Sequence, residues 1–223
     1  MGRYDDSDAD DTAEFIRANL PLAPAPGAPE VRLHQATPSS GLRRLAEADR
    51  NGFGSPYWAY PWAGGVALAR YVLDRPETVR GRRVLDLGAG GGVIAIAAAL
   101  AGAAEVLAAD VDRYALAALR LNAEANGVEI SAVLADPTLG PPPDVDVVLA
   151  GDVFYSPDLA VRVTAFLELC LGAGIEVLIG DPERAFLPLP RLEVLAEYPT
   201  LDFGEPKASR VYALSPPSPA LPP

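Results

Sequence analysis

The sequence is short of the residues that many enzymes use for chemistry. It holds one cysteine, Cys170, and one histidine, His34, in 223 residues. A lone cysteine excludes an intramolecular disulfide and a cysteine metal cluster. Its apolar neighbours over residues 165–171 predict a buried helical thiol. A lone histidine argues against His-based triads and zinc sites, so no metal site is expected. Lysine is equally scarce: Lys207 is the only one, and the remaining basic residues are arginine. No apolar run of about 20 residues occurs, so no membrane-spanning helix and no membrane partner are expected. The acidic N-terminus lacks the apolar core of a signal peptide. Asp6 makes Met1-Gly2 a poor acylation site.

Positive charge is also in deficit. The formal net charge of −12 argues against broad contact with nucleic-acid phosphates. It fits a cationic partner, including a lysine-bearing protein surface, as well as plain solubility. An arginine-rich chain with no evident leader gives a cytoplasmic expectation. Chemistry is left to carboxylates, tyrosines, backbone groups and a bound cofactor.

The chain is organised around residues 84–96, where an apolar run stops at a glycine cluster and an alanine-rich helical stretch begins. From there strand and helix patterns alternate. Strands are predicted over 84–87, 105–109, 130–134, 145–150 and 176–179, and helices over 93–101, 114–126 and 159–171. A closing pair of strands is predicted at 192–198 and 210–214. The alternation predicts an α/β fold, a Rossmann-like, doubly wound, seven-stranded sheet ending in an antiparallel hairpin. Residues 81–214 form that domain, and residues 1–80 an N-terminal extension covering the site. Residues 215–223, rich in proline, form a disordered tail. Within the extension the pattern predicts a short helix over 11–20, a proline-rich linker over 21–29 and a strand over 30–34. It further predicts a Ser40-capped helix over 42–48 and a helix over 66–73.

In such a sheet, ligands bind beyond the carboxyl ends of the strands. The first strand runs into Asp86-x-Gly88-x-Gly90-x-Gly92. A dinucleotide loop would need glycine at position 93, which is Val93. S-adenosylmethionine carries no phosphate and has a cationic amino-acid tail, and an anion at Asp86 suits that tail where it would repel a pyrophosphate. Asp110, ending the second strand, is placed to accept both ribose hydroxyls. Asp136, after the third strand, is placed to accept from the adenine amino group, although Asp136-Pro137 is also an ordinary turn opening. The fourth strand runs into Gly151-Asp152-Val153-Phe154-Tyr155, a carboxylate and a phenol at the mouth. Asp181 and Arg184, after the fifth strand, either contact substrate or pair with each other. Tyr57, Trp58, Tyr60 and Trp62 crowd a short irregular stretch, as a core plug or as a cation-binding face.

Together the glycine loop, Asp110 and Asp152-x-x-Tyr155 resemble the seven-β-strand methyltransferases with an Asp-x-x-Tyr motif. More narrowly, the chain resembles the electron-transfer flavoprotein β-subunit lysine methyltransferases from about residue 14 to residue 214. Three stretches carry that likeness: Pro56-Tyr57-Trp58-Ala59 with Trp62-x-Gly64-Gly65, Gly151-Asp152-x-Phe154-Tyr155, and residues 177–184. The resemblance implies that Trp62 and Gly151 line the cofactor site and that Asp152 and Tyr155 face the target lysine. It departs at Asp136-Pro137, which loosens the adenine assignment.

Lysine must lose a proton before it attacks a methyl group. With a reference pKa of ~10.4, neutrality at pH 7 costs roughly 4–5 kcal/mol. Asp152 beside the amine would raise that cost. The expectation is that Asp152 binds and aims the amine while the proton leaves through Tyr155 or water, with Tyr57 and Trp58 adding cation–π contacts. Three functions compete: methylation of lysines in the flavoprotein β-subunit, methylation of another acceptor such as a ribosomal protein or a small amine, and a non-catalytic or dinucleotide-binding module.

Overall fold

A computed structural model describes residues 6–49, 54–202 and 204–215. Helix α1 (Asp6–Asn19) is followed by strands β1 (Leu22–Ala25) and β2 (Ala28–His34), helix α2 (Leu42–Ala48) and helix α3 (Ala63–Asp74). Then come β3 (Arg83–Leu87), α4 (Val93–Leu100), β4 (Glu105–Asp110), α5 (Arg113–Asn126) and β5 (Ser131–Leu134). The chain continues through β6 (Val147–Gly151), α6 (Pro157–Gly172), β7 (Glu176–Asp181), β8 (Leu192–Asp202) and β9 (Glu205–Leu214). The predicted tail lies almost wholly outside the described residues.

The sheet has seven strands in the order β5-β4-β3-β6-β7-β9-β8. The first five are parallel, while β9 runs antiparallel to both β7 and β8. This is the predicted fold. The order reverses between β3 and β6, and that switch point opens the crevice for a ligand. Alternation along β3 explains its two faces. Val84 joins the cluster shared with α3, α4 and Leu119 of α5, whereas Leu85 and Leu87 join the cluster under α6. A third cluster joins Ile16 and Leu20 to Trp58, Tyr114 and Leu121.

The predicted linker is instead the first half of a β-hairpin, since β1 pairs antiparallel with β2. Proline is tolerated on a two-stranded edge, and Gly27, at φ 84°, supplies the turn. The free edge of β2 is closed by a helix. Asn126 accepts from the Arg32 amide at 2.9 Å and donates to the Arg32 carbonyl at 2.6 Å. Ser40 does not cap α2; its hydroxyl accepts from the Thr37 amide, and Gly41 occupies the cap position. Helix α3, inside the predicted extension, forms part of the sheet's own helical layer. No helix among the described residues is long and apolar enough to cross a membrane.

Candidate active site

The loop after β3 is a left-handed staircase. Gly88, Gly90 and Gly92 take φ values of 73°, 52° and 88°, a region in which a side chain is strained. A Cβ on Gly92 would lie 2.2 Å from Leu119 Cδ1. The loop is tied to β4 by the Gly90 amide, which donates to Asp110 Oδ2 at 2.8 Å. The other Asp110 oxygen accepts from the Asp112 amide at 2.9 Å, and burial pushes this carboxyl up. Asp112 caps α5 by accepting from the Tyr114 amide at 2.8 Å.

Asp86 lies beneath the loop rather than along the cleft. It is wholly buried, and its Oδ2 accepts from the Ala95 amide in the first turn of α4 at 3.0 Å. Its Oδ1 has no partner, and burial pushes the carboxyl up to about 7. Asp136 opens a 3-10 turn at residues Pro137–Leu139, accepting from the Thr138 amide at 3.0 Å and from Arg162 at 3.2 Å.

At the end of β6 the backbone turns sharply. Asp152 holds φ at 57°, one of two non-glycine residues in the left-handed region among those described. Such strain concentrates at functional sites. The side chain is held from two directions. Oδ2 accepts from the Gly65 amide at the start of α3 at 2.7 Å, and Oδ1 accepts from Arg184 Nε at 3.0 Å and Nη2 at 2.6 Å. Burial pushes the Asp152 carboxyl up, and Arg184 and the Gly65 amide pull against that.

Asp181 does not reach the rim. It is wholly buried and accepts from the Arg184 amide at 2.6 Å. Burial pushes its carboxyl up to about 6. The alternatives for Asp181 and Arg184 thus resolve unevenly: the backbone of Arg184 belongs to Asp181, and its side chain to Asp152.

The aromatic stretch divides in two. Trp58 is 3% exposed and stacks on Tyr114 at 6.3 Å between centroids, so its indole plugs the core. Its backbone covers the glycine loop, since a Cβ on Gly91 would lie 2.7 Å from the Trp58 carbonyl oxygen. Tyr57 and Tyr155 are about half exposed and lie 5.9 Å apart. Tyr57 meets the Trp62 ring edge-on at 5.5 Å. Trp62 donates from Nε1 to the Tyr57 carbonyl and carries the Arg184 guanidinium 5.5 Å from its ring centre. Burial raises the Tyr155 phenol above its ordinary value.

The resulting cleft runs from the glycine loop past Trp62, Gly151 and Asp152 to the Tyr57–Tyr60 segment. Sequence reasoning missed Asn122, which is wholly buried on α5. It donates to the Gly91 carbonyl at 2.8 Å and accepts from the His34 amide at 2.7 Å, joining the loop to the hairpin. An asparagine on the apolar face of an amphipathic helix was the available signal. The loop suits S-adenosylmethionine: the tight backbone staircase admits close approach, and a carboxylate rather than a cation terminates β4. Gly88, Gly90, Trp62 and Gly151 would line the bound cofactor, with Asp110 beside its ribose. Among the described residues, no group of three or more His, Cys, Asp or Glu could hold a metal ion.

A family model described as ribosomal protein L11 methyltransferase (PrmA) matches residues 68–152. A putative RNA methyltransferase from Pyrococcus horikoshii has a similar fold, with a TM-score of 0.54 at 22% identity over 78% of this chain and 98% of that one. The magnesium protoporphyrin IX methyltransferase of Synechocystis, solved with bound SAM, has a TM-score of 0.51 at 17% identity over 79% of this chain and 92% of that one. These likenesses show that the chain has the Rossmann-like fold of such proteins.

The electron transfer flavoprotein beta subunit lysine methyltransferase of Xenopus laevis is 40% identical over 194 residues, 84% of this chain and 78% of that protein. Its Rattus norvegicus counterpart is 44% identical over 158 residues, 70% of this chain and 62% of that protein. The chain belongs to the electron transfer flavoprotein beta subunit lysine methyltransferase family. It spans between about three-fifths and four-fifths of the length of these two relatives.

Proposed function

We propose that the protein transfers methyl groups from S-adenosylmethionine to lysine side chains of the electron transfer flavoprotein β-subunit, in the cytoplasm. The observation that carries this reading is the juxtaposition at the end of β6. A strained, buried Asp152 and the half-exposed Tyr57 line one cleft with the glycine loop, and Tyr155 lies 5.9 Å from Tyr57. The family relationship supplies the acceptor.

The residues have separable tasks. Tyr57 and Tyr155 offer π faces to a cationic side chain, each worth ~0.5–2 kcal/mol. Asp152 orients the amine, and the proton leaves to water, directly or relayed through the Tyr155 hydroxyl. S-adenosylmethionine, when bound, would supply an electrophilic methyl on a sulfonium, which the neutral amine would attack to form the N–C bond while the S–C electron pair stays on sulfur. Alignment of amine and methyl group supplies much of the rate. No nucleic-acid or membrane partner enters this reading.

The test is intact mass of the purified β-subunit after incubation with enzyme and S-adenosylmethionine. Added multiples of one methyl mass on lysine are expected. Transfer to purified ribosomal protein L11 with none to the flavoprotein would sink the reading. That alternative draws on partial matches, among them the one over residues 68–152, which spans the glycine loop.

A further inference from the structure

Asp152, the carboxylate best placed to receive the acceptor lysine, is already engaged by three N–H donors. Arg184 Nε and Nη2 take one oxygen and the Gly65 amide the other. The arrangement is built rather than incidental. Asp181 fixes the Arg184 backbone, Glu183 turns the chain at φ 63°, and Trp62 lies against the guanidinium. The Arg184 side chain is 20% exposed and that of Asp152 9%.

A bare carboxylate at this place would stabilise the lysine as ammonium, the unreactive form. A carboxylate paired with a guanidinium presents little net charge while keeping lone pairs for a hydrogen bond from a neutral amine. Arginine suits this role because it stays charged at every working pH and its fork is bidentate.

We propose that Arg184 is a positioning residue that neutralises Asp152, so that Asp152 aims the acceptor amine without trapping it as ammonium. This rests on the lysine-methylation reading above. The carboxylates around the pair hold the guanidinium in its charged form. Asp152, Asp181 and Asp202 surround Arg184, with Asp202 at 3.5 Å from Nη2. The Gly65 amide faces Asp152 from α3. Burial pulls the Arg184 guanidinium down, and these carboxylates outweigh it, so its proton is held more firmly than usual.

The experiment is the pH profile of kcat at saturating flavoprotein, which reports ionisation in the bound complex, with S-adenosylhomocysteine affinity measured calorimetrically as a check on the fold. Arg184→Gln should move the acidic limb upward by about one pH unit or more. Its loss should then be about tenfold at neutral pH and shrink as the pH approaches 10. A loss equal at every pH, with the limb unmoved, would overturn the proposal. Arg184→Lys carries the test if the glutamine variant does not fold. Keeping one positive charge, it should leave the limb in place while KM rises; a limb displaced upward in this variant would overturn the proposal. A wild-type enzyme that leaves the flavoprotein unmethylated overturns the functional reading and this inference together. Methylation by wild type with an unshifted variant profile overturns this inference alone.

Discussion

Gly64 and Gly180 meet backbone to backbone. A Cβ on Gly64 would stand 2.3 Å from the Gly180 carbonyl oxygen, and one on Gly180 would stand 2.2 Å from the Gly64 carbonyl oxygen. This contact seats the first turn of α3 on the end of β7 and brings the Gly65 amide to Asp152. The Trp62-x-Gly64-Gly65 motif is thereby explained by close approach. Gly180→Ala is expected to destabilise the protein by roughly 1–3 kcal/mol through overpacking, read as a lower urea midpoint. Activity should fall further than the folded fraction does, because the Asp152 support shifts. An alanine variant with wild-type stability would show that α3 can move aside.

Asn122 predicts a coupling between hairpin and loop. Asn122→Ala leaves the half-buried Gly91 carbonyl and His34 amide without this partner, which costs at most about 1–3 kcal/mol per group. Calorimetry should show weaker S-adenosylhomocysteine binding than in the wild type, and β2 should exchange its amide hydrogens faster. Unchanged cofactor affinity would leave Asn122 as a core strut alone.

The divided aromatic stretch gives opposite expectations for adjacent residues. Tyr57→Ala removes an exposed π face and should raise KM for the protein acceptor by about 2- to 30-fold, the equivalent of ~0.5–2 kcal/mol, with melting little changed. Trp58→Ala opens the core beneath the glycine loop and should cost about 3–5 kcal/mol of stability. Steady-state kinetics and thermal melts on the pair distinguish the roles.

Asp86 predicts a pH-dependent stability. The folded chain holds this proton up to about pH 7, whereas an ordinary aspartate releases it near 3.8. Between those values the folded state binds the extra proton, so stability from this group falls as pH rises through the window. Asp86→Asn should therefore melt higher than wild type above pH 7, by an amount on the order of 1–3 kcal/mol, and lose that advantage below about pH 4. A melting difference constant across pH would place the ionised form in the folded protein throughout.

Much of the fold was legible because parallel strands covered on both faces read as continuous apolar runs, and β3, β6 and β7 do so. The glycine loop was legible because its backbone angles strongly favour glycine. The hairpin β1–β2 was not, since prolines erase the alternation that marks a strand and its partners on α5 lie about 90 residues away. Asp86 and Trp58 show the same limit within the site. The motif placed Asp86 beside the loop and left Trp58 open between core plug and cation-binding face; the pleat of β3 turned the Asp86 side chain toward α4, and the 3-10 turn over Tyr57–Ala59 sent Trp58 inward and left Tyr57 outside.

By itself the sequence determined the sheet's alternation, the glycine loop, the carboxylate ending β4 and the Asp152-x-x-Tyr155 pair. Those depend on backbone preference and strand period, which are local. Only the tertiary structure decided that Arg184 holds Asp152, that Asp181 holds Arg184, and that Asn122 joins loop to hairpin. Those contacts join residues brought together by strand order and helix docking, and a buried charge takes its partner from whichever donors the packing delivers.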